Sequence, residues 1–300
     1  MKTPAFLKKG DLMALVTPAG PLKNEEPVLL AEELIQSWGF NSVRGKHLLH
    51  SNNYLSGTDP ERLQDLQEAL DNPKVKAIWA VRGGYGSMRI LAKLNFTKFI
   101  KNPKWLIGFS DITALHNKIH QLGLKSLHAM MPVQLLNSVA QPEAIDSLHD
   151  SLLGKPLEIV IPASKNNKTG SAIGTLIGGN LSLLESLLGT PYQINTKDKI
   201  LFLEEVGEPL YKIDRLLMSL ELAGYFKNLA ALAIGSFTDI DPDNNQTDSF
   251  QKLILDRVKN YHFPVIFDVP SGHIPNNHCL VLGEKITVNV GEFVSCIRSV

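Results

Sequence analysis

Apolar residues along the chain fall into short runs separated by stretches with helical periodicity. Leu12 to Val16 reads as a buried strand that runs into Thr17-Pro-Ala-Gly-Pro21, and Val28 to Trp38 carries Leu29, Leu30, Leu34 and Ile35 on one helical face. Strand, loop and helix then alternate. The pattern predicts a helix over Pro60 to Leu70, a strand over Val75 to Val81, a short helix over Ser87 to Leu94, a strand over Trp105 to Phe109 and a helix over Ser110 to Gln121. Such alternation predicts an α/β protein whose N-terminal part is a doubly wound parallel sheet, flavodoxin- or Rossmann-like, with helices on both faces. Ligands of such sheets bind at the carboxyl ends of the strands. The loops Thr17 to Gly20 and Arg82 to Gly86, together with Ser110, all follow strands and should gather at one edge.

Around Pro162 to Gly170 the composition turns polar and rich in chain breakers, which predicts an interdomain linker. The expected organisation is therefore an N-terminal domain over 1–161, a linker over 162–170 and a C-terminal domain over 171–300. In the second half, Ser171 to Ile177 precedes a turn at Gly178-Gly-Asn180, a helix over Leu181 to Leu188, a strand over Lys199 to Leu203 and a helix over Pro209 to Leu222. Short apolar strands follow at Leu229 to Ile234, Val265 to Phe267, Cys279 to Leu282, Lys285 to Val290 and Phe293 to Ile297. Turns at Gly283-Glu284 and Gly291-Glu292 predict a terminal antiparallel meander, so this domain should be mixed α/β with a β-rich end.

Composition narrows the function classes. Of the 300 residues 44% are hydrophobic, enough to fill substantial cores. Thirty basic and thirty acidic residues cancel, which removes the electrostatic footprint of a non-specific nucleic-acid binder and favours a small-molecule partner. The segment Met1 to Asp11 lacks the apolar core of a signal peptide, and no run approaches the roughly 20 apolar residues that span a bilayer, so the expectation is a cytoplasmic protein. Cys279 and Cys296 are too few and too far apart for a zinc site or a disulfide framework, and reduced thiols are expected.

Ser110 is the most suggestive position. A serine on a tight strand-to-helix turn projects its hydroxyl outward and lies beside helical N–H groups suited to an oxyanion. It equally suits a helix N-cap, since Ser and Asp favour that place. A nucleophilic serine needs a base and a third group to orient that base. Among nine histidines, His273 lies in the breaker-rich loop Pro270-Ser-Gly-His-Ile-Pro275 directly after an apolar strand, with His128 and His278 as weaker rivals. His116 and His120 have the spacing of a metal-binding pair, but Asn117 occupies the position of the glutamate in His-Glu-x-x-His and no third ligand is evident, so no metal is expected. For the acid, Glu204 and Glu205 end the strand at Leu201 to Leu203, and adjacent strand residues face opposite ways. One can enter a cleft while the other pairs elsewhere, and Glu208 in the following loop is a third option. The turn Arg82-Gly-Gly-Tyr-Gly86 has glycines whose N–H groups can approach a ligand closely, but it matches no nucleotide-binding glycine motif.

Taken in order, these blocks resemble the LD-carboxypeptidase family of serine peptidases, which includes the microcin-immunity proteins. The blocks are Thr17-Pro-Ala-Gly20, Arg82-Gly-Gly-Tyr-Gly86 with Arg89-Ile-Leu91, Gly108-Phe-Ser-Asp-Ile-Thr113, Gly178-Gly-Asn-Leu181, Leu203-Glu-Glu205 with Tyr211 and Asp214-Arg215, and Gly272-His273. The resemblance implies a Ser-His-Glu triad of Ser110, His273 and Glu204, with Glu205 as the alternative acid because a glutamate replaces the family's usual aspartate there. It implies oxyanion donors in the backbone N–H groups of Asp111 and of the Gly83-Gly84 turn, no cofactor or metal, and Arg82 or Arg89 as partners for a substrate carboxylate. Family members release D-alanine from murein tetrapeptides by cutting its bond to a diamino acid during cytoplasmic cell-wall recycling, and are commonly dimers. The immunity branch cleaves acyl-sulfamoyl nucleotides. The alternative from another class is a non-catalytic α/β module that binds a small ligand, with Ser110 as a cap.

Overall fold

The computed structural model describes residues 1–240 and 249–300. In chain order, β1 (Leu12–Val16), α1 (Glu26–Ser37), β2 (Asn41–Arg44), α2 (Asp59–Asp71), β3 (Val75–Ala80), α3 (Ser87–Leu91) and α4 (Thr97–Lys101) lead to β4 (Trp105–Gly108). A 3-10 turn (Ser110–Ile112) then enters α5 (Thr113–Gln121), followed by β5 (Ser126–His128), a second 3-10 segment (Pro132–Ser138) and α6 (Pro142–Leu153). The remainder comprises β6 (Glu158–Pro162), β7 (Gly170–Asn180), α7 (Leu181–Ser186), β8 (Lys199–Val206), α8 (Leu210–Leu222), β9 (Ala231–Thr238), α9 (Phe250–Val258), β10 (Val265–Ile266), β11 (Leu280–Leu282), β12 (Lys285–Val290) and β13 (Val294–Ser299). Two compact units result: Met1–Lys155 with Pro275–Val281, and Pro156–Ile274 with Leu282–Val300.

The first unit is built on a sheet of order β11-β5-β4-β3-β1-β2, in which β2, β1, β3, β4 and β5 run parallel. This is the expected doubly wound arrangement, and its order reverses between β1 and β3. The loops after β1 and β3 therefore flank the topological switch point, where such sheets bind ligands. Local chemistry explains the helices. Thr58 and Glu61 form a reciprocal capping box at α2, with Pro60 in its first turn, and α6 begins at Pro142 and stops at Gly154, whose φ of 85° suits glycine. Met13, Leu15, Trp79, Ile107 and Leu127 fill the core, and the Trp79 indole donates to the Met130 carbonyl at 2.9 Å, so its buried N–H is satisfied.

In the second unit the sheet order is β10-β9-β8-β7-β12-β13-β6. Strands β7 to β10 pair in parallel, while β7–β12, β12–β13 and β13–β6 pair antiparallel, which gives the expected mixed sheet with its β-rich end. Helix α8 lays Ile213, Leu216, Leu217 and Leu220 on the core together with Ile177, Leu201 and Leu203.

Three sequence expectations are corrected. The polar stretch 162–170 is a connection between β6 and β7 of one sheet rather than a linker, because β6 pairs with β13 along its whole length. The chain passes between units at 155–156 and again around 275–281. Strand β11 is not part of the terminal meander. It lies beside β5 in the first sheet, where Cys279 and Val281 are absorbed into the first core, leaving β12 and β13 as the expected hairpin. Finally, Gly178 and Gly179 do not turn the chain: they continue β7 with φ of 123° and 139°. A Cβ at Gly178 would lie 2.0 Å from the Phe202 carbonyl oxygen, so only glycine lets β7 pair with β8 this closely.

Candidate functional site

Strand β4 is buried throughout, and the chain leaves it through Phe109 into Ser110. Ser110 has a φ of 61°, in the left-handed region that non-glycine residues avoid at a cost of about 1–3 kcal/mol. This corrects the capping reading. The cap position of the following turn is the extended Phe109, and no side chain caps it. The serine instead sits on a strained strand-to-helix turn, the backbone form that exposes a nucleophile.

The glycine loops pack against it as the sheet order requires. Gly20 N–H donates to the Gly83 carbonyl at 2.9 Å, tying the loop after β1 to that after β3. Gly83 turns its Cα toward the serine: a Cβ there would lie 3.1 Å from both Cβ and Oγ of Ser110. Gly84, at φ 100°, lies against Gly20, where a Cβ would be 3.3 Å from the Gly20 Cα. The structure thus brings together Ser110, Asp111, Gly83 and Gly84. Asp111 also contributes its side chain, which the sequence did not single out. Buried to 1% exposure, its carboxylate accepts from Ser87 N–H at 2.8 Å, and burial raises its pKa against the opposing pull of hydrogen bonds from Ser87 and Gly86. Arg62, unmarked by any motif, is buried on α2 and donates to the carbonyls of Pro18 and Gly86 at 2.7 and 2.9 Å.

The two arginines considered for a substrate carboxylate have partners of their own. Arg82 donates to the Pro21 carbonyl, and Arg89 forms two bonds to Asp59 at 2.9 and 3.0 Å, which raise the Arg89 pKa. His116 is wholly buried between Ser126 Oγ at 2.8 Å and the Gly108 carbonyl at 2.9 Å, and desolvation lowers its pKa to about 4. It braces β4 and β5 and offers no ring nitrogen to a metal. His128 is buried against Phe109, with ring centroids 5.8 Å apart. Among the described residues, no three His, Cys, Asp or Glu side chains gather as a metal site.

In the second unit, the end of β8 resolves the adjacent acids. Glu204 is fully buried, and its Oε2 lies 2.7 Å from His273 Nδ1, while Oε1 has no hydrogen-bond partner among the described residues. Glu205 faces the other way. It accepts from Asn180 Nδ2 at 3.0 Å, Ser182 N–H at 2.8 Å, Ser182 Oγ at 2.7 Å and Val206 N–H at 2.9 Å, and so secures the start of α7. Asn180 itself caps that helix, accepting from Leu183 N–H at 3.1 Å. Glu208 lies in the loop between β8 and α8.

The loop carrying His273 is pinned to β9 by Ser236 N–H on the Ser271 carbonyl at 2.9 Å and by Thr238 Oγ1 on the His273 carbonyl at 3.3 Å. Gly272 must be glycine: at φ 122°, a Cβ would fall 2.3 Å from Ser236 Oγ and 3.0 Å from Glu204 Cβ. Burial opposes a charged His273, but the hydrogen bond and charge of Glu204, with the charges of Glu205 and Asp239, outweigh it, and the pKa is raised above the usual histidine value. A histidine oriented through Nδ1 by a buried carboxylate is suited to exchange protons at Nε2.

Comparison with known proteins places the chain. Residues 13–129 match the model of the LD-carboxypeptidase N-terminal domain, and residues 173–288 that of the LD-carboxypeptidase C-terminal domain. A probable murein peptide carboxypeptidase of Bacillus subtilis is 33% identical, over 99% of this chain and 94% of that protein. The murein tetrapeptide carboxypeptidase of Pseudomonas aeruginosa is 31% identical, over 91% of each. Among solved structures, the muramoyltetrapeptide carboxypeptidase of Oxalobacter formigenes superposes with a TM-score of 0.87 at 25% identity, covering 96% of this chain and 98% of that one. An MccF-like protein of Bacillus anthracis reaches 0.88 at 28% identity, covering 100% and 99%.

Proposed function

Because this chain belongs to the LD-carboxypeptidase family, we propose that it removes the terminal D-alanine of murein tetrapeptides by a serine mechanism in which Ser110, His273 and Glu204 act together. Ser110 Oγ attacks the carbonyl of the L-centre of the diamino acid, and His273 Nε2 takes its proton. Glu204 holds the imidazole in the required tautomer and stabilises its cation. The tetrahedral oxyanion is received by the N–H groups of Asp111 and the Gly83–Gly84 turn, donors whose individual loss typically costs about 10²–10³ in rate. His273 then returns the proton to the leaving amine of D-alanine, and water releases the acyl-enzyme by the same steps in reverse. The single observation that carries this reading is the 2.7 Å bond between His273 Nδ1 and the fully buried carboxylate of Glu204. A buried carboxylate without a compensating task is costly, and here it orients a base.

The same reading sets the reaction in cytoplasmic murein recycling, carried out by a homodimer. The likeness to the MccF-like protein favours a second substrate class, acyl-sulfamoyl nucleotides. Incubating the purified chain with each substrate tests both: release of D-alanine from the tetrapeptide is expected. Cleavage of the acyl-sulfamoyl nucleotide without D-alanine release would transfer the protein to the second class.

A further inference from the structure

The glycine turn that faces Ser110 ends in a peptide unit held at both ends. The carbonyl of Gly86 accepts from Arg62 Nη1 at 2.9 Å, and the N–H of Ser87, in the same peptide plane, donates to Asp111 Oδ2 at 2.8 Å. Both clamping groups are ionisable side chains and buried, at 2% and 1% exposure. Gripped at its carbonyl and at its N–H by two buried side chains, this peptide has little freedom to rotate. Arg62 Nη1 also holds the Pro18 carbonyl at 2.7 Å, and Nη2 is anchored by Asp59. One guanidinium therefore ties together the loops after β1 and β3.

The fit is close. A Cβ at Gly86 would lie 2.6 Å from Arg62 Nη1, so the glycine at this position, with φ of 136°, makes room for the guanidinium. The other jaw of the clamp belongs to the nucleophile's own turn: Asp111 directly follows Ser110, and its carbonyl accepts from Ser87 Oγ at 2.7 Å.

We infer that Arg62 is a positioning residue: by holding the Gly86–Ser87 peptide against Asp111, it fixes the Gly83–Gly84 turn in register with Ser110. It is too deeply buried to touch substrate. The inference rests on the proposed function, because it assigns Arg62 the task of keeping the oxyanion donors aligned with the serine. Misplacing such groups by about 1 Å can cost on the order of 100-fold in rate.

The test compares wild type, Arg62→Lys, Asp111→Asn and the double variant, with folding checked by circular dichroism. Lysine keeps the charge but lacks the second nitrogen, Nη2, through which Asp59 anchors the guanidinium that holds both carbonyls by Nη1. Folded Arg62→Lys should lose about 10- to 100-fold in kcat for D-alanine release with KM within about threefold of wild type, and fluorophosphonate labelling of Ser110 should slow in parallel. The double variant should be no slower than about the worse single variant, because both changes release one peptide unit. A folded Arg62→Lys with wild-type kcat, a loss confined to KM, or additive losses in the double variant would overturn the inference. Should Arg62→Lys fail to fold, Asp59→Asn, which keeps the guanidinium and removes its anchor, is read instead: lowered kcat at constant KM supports the role, and wild-type kcat refutes it. If wild type releases no D-alanine, the proposed function fails, and the labelling rates still decide whether Arg62 aligns Ser110.

Discussion

Glu204 and Glu205 occupy consecutive positions at the end of β8, and the alternation of a strand sends one carboxylate to His273 and the other to the start of α7. Their replacement by glutamine should therefore separate chemistry from folding. Glu204→Gln keeps the shape but presents an amide to Nδ1, and kcat should fall by about 10³–10⁴ with the fold retained. Glu205→Gln weakens a buried acceptor of several N–H bonds and should cost roughly 1–3 kcal/mol of stability while sparing most of kcat. The pH profile adds a signed check. In the proposed mechanism His273 must be neutral to accept the Ser110 proton, and its pKa is raised above the usual histidine value, so kcat/KM should fall on the acidic side with an apparent pKa above that value. Removing the Glu204 charge should move the limb toward lower pH in whatever activity remains. That the two acids diverge was legible in the sequence from alternation alone. Which one meets the histidine alternation left open, because the answer depends on the pairing of β8 with β7 and β9, a non-local fact; only the family resemblance pointed to Glu204, the acid that lies against His273. Arg62 was still less visible: nothing in the pattern of α2 distinguishes a buried arginine from a solvated one.

At the scale of elements, the runs with strong periodicity or continuous apolarity, such as α1, α8, β3, β4 and β8, were readable because burial itself writes those patterns. Strand β2, Asn41-Ser-Val-Arg44, is an exposed edge and carries no such mark. Helix α6 did carry one, in Pro142, the buried Ala144, Leu148 and Leu152, and the closing Gly154. The misread elements share a cause. Gly178-Gly179 looks like a turn because local chemistry cannot reveal that a neighbouring carbonyl lies where a side chain would be. Gly178→Ala should accordingly destabilise the protein by at least about 2 kcal/mol, since it combines a backbone clash with an unfavourable φ. The urea unfolding midpoint measures this, and an unchanged midpoint would refute the close-packed pairing of β7 and β8.

For the whole molecule, the order of motifs identified the family, while the path of the chain between units escaped notice. Residues 275–281 return to the first unit because Cys279 and Val281 complete its core, a long-range preference that no window of sequence displays. Ser110 lies in the first unit, and Glu204 and His273 lie in the second. The strained backbone of Ser110 turns the choice between cap and nucleophile toward the nucleophile, and its most direct test is the release of D-alanine from a murein tetrapeptide by wild type and by Ser110→Ala. The account predicts turnover by wild type and a fall of about 10⁴-fold or more in the folded variant; turnover unchanged by the loss of this hydroxyl would contradict it.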